Sequence, residues 1–179
     1  DNRPLQTLAV ASTEHGDGRS LLANLLANSF SFDQKTLLID ADFFNTDGLS
    51  SELASVTSAG LAELLRGEVQ LEKARITLSD HLDFIPHGKT TISSLLMLSS
   101  GHVEPLMREL KSHYQRIIID VAAVNQSQDV QLIKRAVDGV IFIVKAGTGS
   151  AGQIANALDK LEENNGVVIG AVLNAVEEK

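Results

Sequence analysis

A chain of 179 residues, 44% hydrophobic but only 4% aromatic, is the size of one domain whose core is built from Leu, Ile, Val and Ala. A net charge of −8 with no Lys/Arg cluster argues against a nucleic-acid surface. Cysteine is absent, which excludes disulfides and thiolate metal sites and agrees with a cytoplasmic setting, and no apolar run approaches the ~20 residues of a membrane helix.

The first apolar run, TLAVAS (7–12), reads as a buried strand. It passes through STEHGDGRS (12–20) into SLLANLLANSF, which has helical spacing and whose leucines are expected to pack in the core. TLLID (36–40), LDFIP (82–86), RIIID (116–120), GVIFIV (139–144) and VVIGAVL (167–173) repeat the short, nearly continuous pattern of strands buried on both faces. Between them SAGLAELLRGE, TISSLLML, EPLMRELKSHY, DVQLIKRAV and GQIANALDKLEEN carry helical spacing, and Pro105 suits a first helical turn. DKLEEN and the closing EEK read as solvated helix faces. The alternation predicts one domain over 1–179: a three-layer α/β/α sandwich on a mostly parallel, doubly wound sheet. The chain opens at Asp1 rather than methionine, as expected of a domain excised from a longer protein, with any membrane segment outside it.

Ligands of such sheets bind at the carboxyl ends of the strands, so the residues just after each run carry the chemistry. After the first strand, Gly16 and Gly18 give the backbone freedom to curl around phosphate oxygens, with a helix N-terminus behind them. Asp17 and Leu21 complete the loop, and Ser20 is placed to offer its hydroxyl to Mg²⁺. Against the phosphate-loop pattern G-x-x-x-x-G-K-[ST], Thr13 stands for the first glycine and Arg19 for the lysine. A guanidinium keeps the charge but is a planar fork rather than a compact ammonium. A Gly-rich turn that only caps a helix has the same local sequence.

Asp40 and Asp42 close the second strand and Asp120 closes RIIID. Carboxylates there can hold Mg²⁺ and its waters, or accept a proton from an attacking hydroxyl. An Asp that closes a strand also caps turns, the reading preferred for Asp47 and Asp138. The five histidines show no metal-ligand spacing, though His15 could face a phosphate. No G-x-S-x-G nucleophile elbow is present, and GDG (16–18), which alone would suit a dinucleotide fold, is spaced better for a phosphate loop.

In order along nearly the whole chain, LAVASTEHGDGRSLLANLLA, TLLIDADFFNTDGLSSEL, GLAELLRGE, LDFIPHGK, YQRIIIDVAAV, AVDGVIFIVKAG and GVVIGAVLNAV resemble the cytoplasmic domain of bacterial tyrosine autokinases. These P-loop kinases of the ParA/MinD-like subgroup are attached to polysaccharide co-polymerases in capsule and exopolysaccharide synthesis. The resemblance implies an ATP–Mg²⁺ site at the inner face of the bacterial membrane, with the γ-phosphoryl group passed to tyrosines in a C-terminal tail. It makes Gly16, Asp17, Gly18, Arg19, Ser20 and Leu21 the Walker A loop, Asp40 and Asp42 the Walker A′ pair (one near the metal, one a base), and Asp120 the Walker B carboxylate. Ser20, Asp40 and Asp120 would then hold the metal, Arg19, Asp40 and Asp42 would serve catalysis, and Asn174 would contact the adenine. The implied partners are a membrane-embedded co-polymerase, or the chain's own membrane segment, and further copies of the chain. Neither nucleic acid nor membrane insertion by this domain is expected.

The chain also departs from that family. Besides Arg19, Thr13 and His15 stand where prolines are usual, DADFFN lacks an arginine after the second Asp, and DVAA replaces D-T-P-P. HGKTTISSLL keeps the length of G-x-x-x-x-N-P-x-E-L-L without its Asn-Pro, the ring-assembling N-terminal motif is not visible, and Tyr114, expected inside a helix, is the sole tyrosine. Three readings follow: an active autokinase whose tail lies outside the chain, a pseudokinase that binds nucleotide weakly or not at all, and a ParA/MinD-type ATPase. Glu14 occupies the position of the last group's signature lysine, and the accumulated departures favour the pseudokinase.

Overall fold

The computed structural model describes residues 5–45, 47–55, 58–90 and 93–176. Seven strands form one sheet: β1 (Thr7–Ser12), β2 (Thr36–Ala41), β3 (Ile76–Ser79), β4 (Leu82–Ile85), β5 (Arg116–Val121), β6 (Gly139–Lys145) and β7 (Val168–Asn174), in the order β3-β4-β2-β5-β1-β6-β7. All neighbours are parallel except β3 and β4. The predicted doubly wound architecture is therefore present, with six strands close to their expected bounds. β3 was not expected; it is a short edge strand, largely exposed, without an apolar run to mark it.

Side-chain alternation divides the core in two. Leu8, Val10, Leu38 and Ile118 point to one face, where they meet α1 (Arg19–Phe30) and α2 (Leu49–Leu53). Ala9, Ala11, Leu37, Ile39, Ile117 and Ile119 point to the other. That face carries α3 (Leu61–Leu65), α4 (Leu71–Ala74), α5 (Ser94–Ser99), α6 (Val103–His113), α7 (Asp129–Ile133) and α8 (Ala151–Glu162).

Three expectations need correction. The buried residues of α1 on the sheet side are Ala23 and Ala27, Leu22 and Leu26 flank them, and Leu21 and Leu25 are exposed at 60% and 58%. Alanines let the helix axis approach the sheet, so the leucines at the next helical positions turn outward. The run 167–173 is not buried on both faces: among the described residues β7 pairs only with β6, and Val167, Ile169 and Leu173 are exposed. Tyr114 lies just after α6 rather than inside it, 3% exposed, with its hydroxyl donating to Asp83 Oδ2 at 2.8 Å. Of the expected helix TISSLLML, residues 91 and 92 lie outside the described residues, as do the last three residues of the chain, and the helix begins at Ser94. Asp138 does serve a local clamp: its Oδ2 accepts from the N–H of Gln6 and from the N–H and hydroxyl of Thr7, and Lys111 pairs with Oδ1 at 2.9 Å.

Candidate phosphate-loop site

The same alternation that sends Val10, Leu38 and Ile118 toward α1 carries Ser12, Asp40 and Asp120 to that side, at the carboxyl rim of three adjacent strands. Asp40 lies level with Asp120 in the β2–β5 register, and Val10 of β1 lies level with Asp120. The first residue of α1 is Arg19, so its side chain enters the rim from above. The glycine turn and the three carboxylates of the sequence thus meet in one place.

Arg19 is 4% exposed, and its guanidinium is turned inward. Nη2 pairs with Asp42 Oδ2 at 2.5 Å, Nε with Asp120 Oδ1 at 3.4 Å, and Nη1 donates to Ser12 Oγ at 3.2 Å. Ser12 in turn donates to the carbonyl of Glu14 at 2.7 Å, which ties the fork to the loop. Asp42 Oδ1 accepts from the Phe44 N–H at 3.2 Å. Ser12 was not singled out from the sequence: only the strand parity reveals that it shares a face with Asp120.

Asp40 is satisfied differently. Its Oδ1 accepts the Asp42 N–H at 3.0 Å, and its Oδ2 accepts the Ser50 N–H at 2.9 Å and the Ser50 hydroxyl at 2.6 Å. Ser50 Oγ also accepts the His87 N–H at 2.8 Å, so Asp40 fastens the start of α2 and the end of β4 to the rim. Burial raises the Asp40 carboxyl above its ordinary range, opposed by these hydrogen bonds. Burial pushes Asp120 up to about 7, with the Arg19 charge and the Ser20 hydroxyl pulling down and the Asp40 and Asp42 charges adding to the rise. A fourth acid, Asp129 at the start of α7, lies close enough to Asp42 to feel its charge and is raised mainly by burial. The sequence offers no signal for it beyond an acid preceding a helix.

The loop itself is tightly braced. Asp17 is buried, its Oδ2 accepting the Glu14 N–H at 3.0 Å and its Oδ1 the Thr148 hydroxyl at 3.4 Å. Asn174 Nδ2 donates to the Asp17 carbonyl at 3.0 Å, so this amide braces the loop. Leu21 turns its side chain to solvent. Gly16 and Gly18 sit at φ of +85° and +101°, and a Cβ on Gly18 would come within 2.4 Å of Asn174 Nδ2. No side chain caps α1. A cavity of about 190 Å³ opens over the turn, lined by His15, Gly16, Gly18, Arg19, Ser20 and Asn45 among others.

These residues fit an anion and a metal unequally. An uncapped twelve-residue helix behind two positive-φ glycines is a concavity suited to phosphate oxygens. The carboxylate rim does not fit Mg²⁺, which demands oxygens at ~2 Å in octahedral geometry. One oxygen of each of Asp42 (Oδ2) and Asp120 (Oδ1) is paired with the guanidinium, and among the described residues no group of three or more His, Asp or Glu is arranged to hold a metal ion.

Comparison with known proteins agrees with the fold and the family resemblance. The family described as cellulose biosynthesis protein BcsQ matches residues 5–169. Tyrosine-protein kinase CpsD of Streptococcus agalactiae serotype III is 30% identical over 173 residues, which are 96% of this chain and 75% of that protein. The crystal structure of the VpsO kinase domain superposes with a TM-score of 0.91 at 26% identity, covering 97% of this chain and 86% of that one. A ParA family ATPase from Chlorobium tepidum shares the fold alone, with a TM-score of 0.78 at 20% identity over 98% of this chain and 76% of that one.

Proposed function

This chain belongs to the cellulose biosynthesis protein BcsQ family and is related to bacterial tyrosine-protein kinases, and from that premise we propose that it is a pseudokinase. In this reading it binds ATP or ADP weakly and regulates exopolysaccharide or capsule assembly at the cytoplasmic face of the membrane. Its partner is a polysaccharide co-polymerase, carried on another protein or on its own membrane segment, and further copies of the chain can join it. The proposed role involves neither nucleic acid nor membrane insertion by this domain. Among the described residues no helix is long and apolar enough to cross a membrane.

The inward-turned, 4%-exposed guanidinium of Arg19 carries the reading. Phosphoryl transfer is almost entirely positioning and charge neutralisation, and a single well-placed cation there is worth ~10³–10⁵ in rate. Here the cation of the loop is spent on Asp42 and Asp120, and Asp42 is no longer a free base. The loop N–H groups do not depend on that side chain, so binding survives where transfer does not. Tyr114 itself is not an accessible acceptor, because its hydroxyl is buried against Asp83.

Incubation with Mg²⁺–ATP and an added tyrosine-rich peptide, read by mass spectrometry, is the test. The expected result is a calorimetrically measurable weak nucleotide affinity with no phosphotyrosine on peptide or protein. Robust tyrosine phosphorylation ends the pseudokinase reading. ATP hydrolysis without phosphorylation transfers the assignment to the ParA-type ATPases, whose fold this chain shares.

A further inference from the structure

We propose that Arg19 is the resident cation of this site: its guanidinium neutralises Asp42 and Asp120 at the acidic rim, so the loop receives phosphate without a metal. The inference rests on reading this rim as a phosphate site, and goes further by saying which charge occupies its acidic end. Three observations carry it.

First, the fork is engaged on all three nitrogens, to Asp42, Asp120 and Ser12, and Ser12 and Asp120 share the strand parity of the face that α1 covers. The guanidinium charge beside Asp42 Oδ2 and Asp120 Oδ1 repels a second cation drawn to the same two carboxylates.

Second, the group has nowhere cheaper to go. Arg19, Asp42 and Asp120 are each at most 4% exposed. Swinging the arginine out toward phosphates would leave the two carboxylates buried without their partner, an arrangement proteins tolerate poorly. A lysine could leave the pocket by losing its proton, whereas a guanidinium stays charged at any accessible pH and is weakly hydrated, which suits permanent burial.

Third, Asp40 is not free to compensate. Both of its oxygens are committed to the Asp42 N–H and to Ser50, and that link also holds the end of β4 through His87. A metal would have to draw ligands from an acid that is fastening two elements to the rim.

The reaction of the site to metal alone is therefore inverted relative to a metal-dependent kinase, and it can be measured without nucleotide. Free Mn²⁺ is followed by electron paramagnetic resonance against the wild-type protein, Arg19→Ala and Arg19→Gln. Glutamine keeps a planar polar group of similar reach, and so guards against a variant that fails to fold. The wild type is expected to leave the Mn²⁺ signal at its buffer level, and its melting temperature is expected not to respond to Mg²⁺. Both variants are expected to capture manganese and to gain thermal stability from Mg²⁺, as a ligand that binds only the native state must give. Capture of Mn²⁺ by the wild type overturns the proposal, and so does a folded Arg19→Gln protein that is as indifferent to metal as the wild type. Separately, ADP affinity of the wild type is expected to change by less than about twofold on chelation with EDTA. Loss of ADP binding only when metal is chelated again overturns the resident-cation proposal. Absence of ADP binding under every condition, with the metal results as expected, removes the nucleotide-binding part of the pseudokinase reading and leaves Arg19 as the metal-excluding group.

Discussion

At the scale of single residues, the replacement of the loop lysine by Arg19 is legible in the sequence, but the destination of its guanidinium is not. Loop spacing places the Cα of residue 19, whereas four side-chain torsions and the partners on β1, β2 and β5 decide where the fork comes to rest. The acids Asp40, Asp42 and Asp120 could be named because each ends or follows an apolar run; Ser12 could not, since its role depends on the face of the sheet it shares with Asp120, nor could Ser50, whose role depends on where α2 packs against the rim. The Asp120 carboxyl, pushed up to about 7 by burial, makes this rim visible to pH. Its native pKa lies above its unfolded value, so the native state holds more protons than the unfolded chain between about pH 4 and pH 7. Its stabilising contribution is complete below the unfolded value and is lost as pH rises through 7. Lowering the pH from 7.5 to 5.5 should raise the unfolding free energy through this group by up to about 2 kcal/mol, measured by urea denaturation. Asp120→Asn should remove that increment. An unchanged pH dependence in the variant would show that the carboxyl titrates in its ordinary range.

At the scale of elements, six strands and the order of the principal helices follow from the hydrophobic pattern alone. The misses have local causes: β3 is an exposed edge strand, α2 and α4 are too short to show a period, and β7 reads as a buried strand although it lies at an edge. The most instructive case is α1, where counting leucines picks out the wrong stripe. Ala23 and Ala27 contact the sheet with no exposed surface, while Leu21 and Leu25 face solvent. Close approach of this helix matters for the site, since its first residue is Arg19 and its uncapped N-terminus backs the glycine turn. Enlarging the contact should therefore cost more than deleting an outward leucine. Ala27→Leu is expected to lower stability by ~1–3 kcal/mol through overpacking, and Leu25→Ala to change it by less than ~0.5 kcal/mol. Chemical denaturation of the two variants side by side would reverse this assignment of faces if Leu25→Ala proved the more damaging.

At the scale of the whole molecule, the fold's contribution is convergence. Arg19 and Asp120 are 101 positions apart in the chain, and Asn174 braces Asp17 across 157, yet all meet at the rim of one parallel sheet. The order of motifs is what made the family recognisable, and membership brings with it the expectation of a phosphate site. The internal electrostatics then decide how much of the family's chemistry this chain can perform. On the proposed reading, a guanidinium locked to two acids leaves the glycine turn able to hold phosphate and withdraws the cation and the carboxylates from any reaction there. Nuclear magnetic resonance of the ¹⁵N-labelled protein during an ADP titration reads both halves of that statement at once. The Gly16 and Gly18 amide signals should shift on ADP addition, while the Arg19 Nε–H signal stays slow to exchange and keeps its position. An Arg19 Nε–H that exchanges freely with water in the absence of nucleotide, or that leaves its carboxylate partners when ADP arrives, would contradict the account.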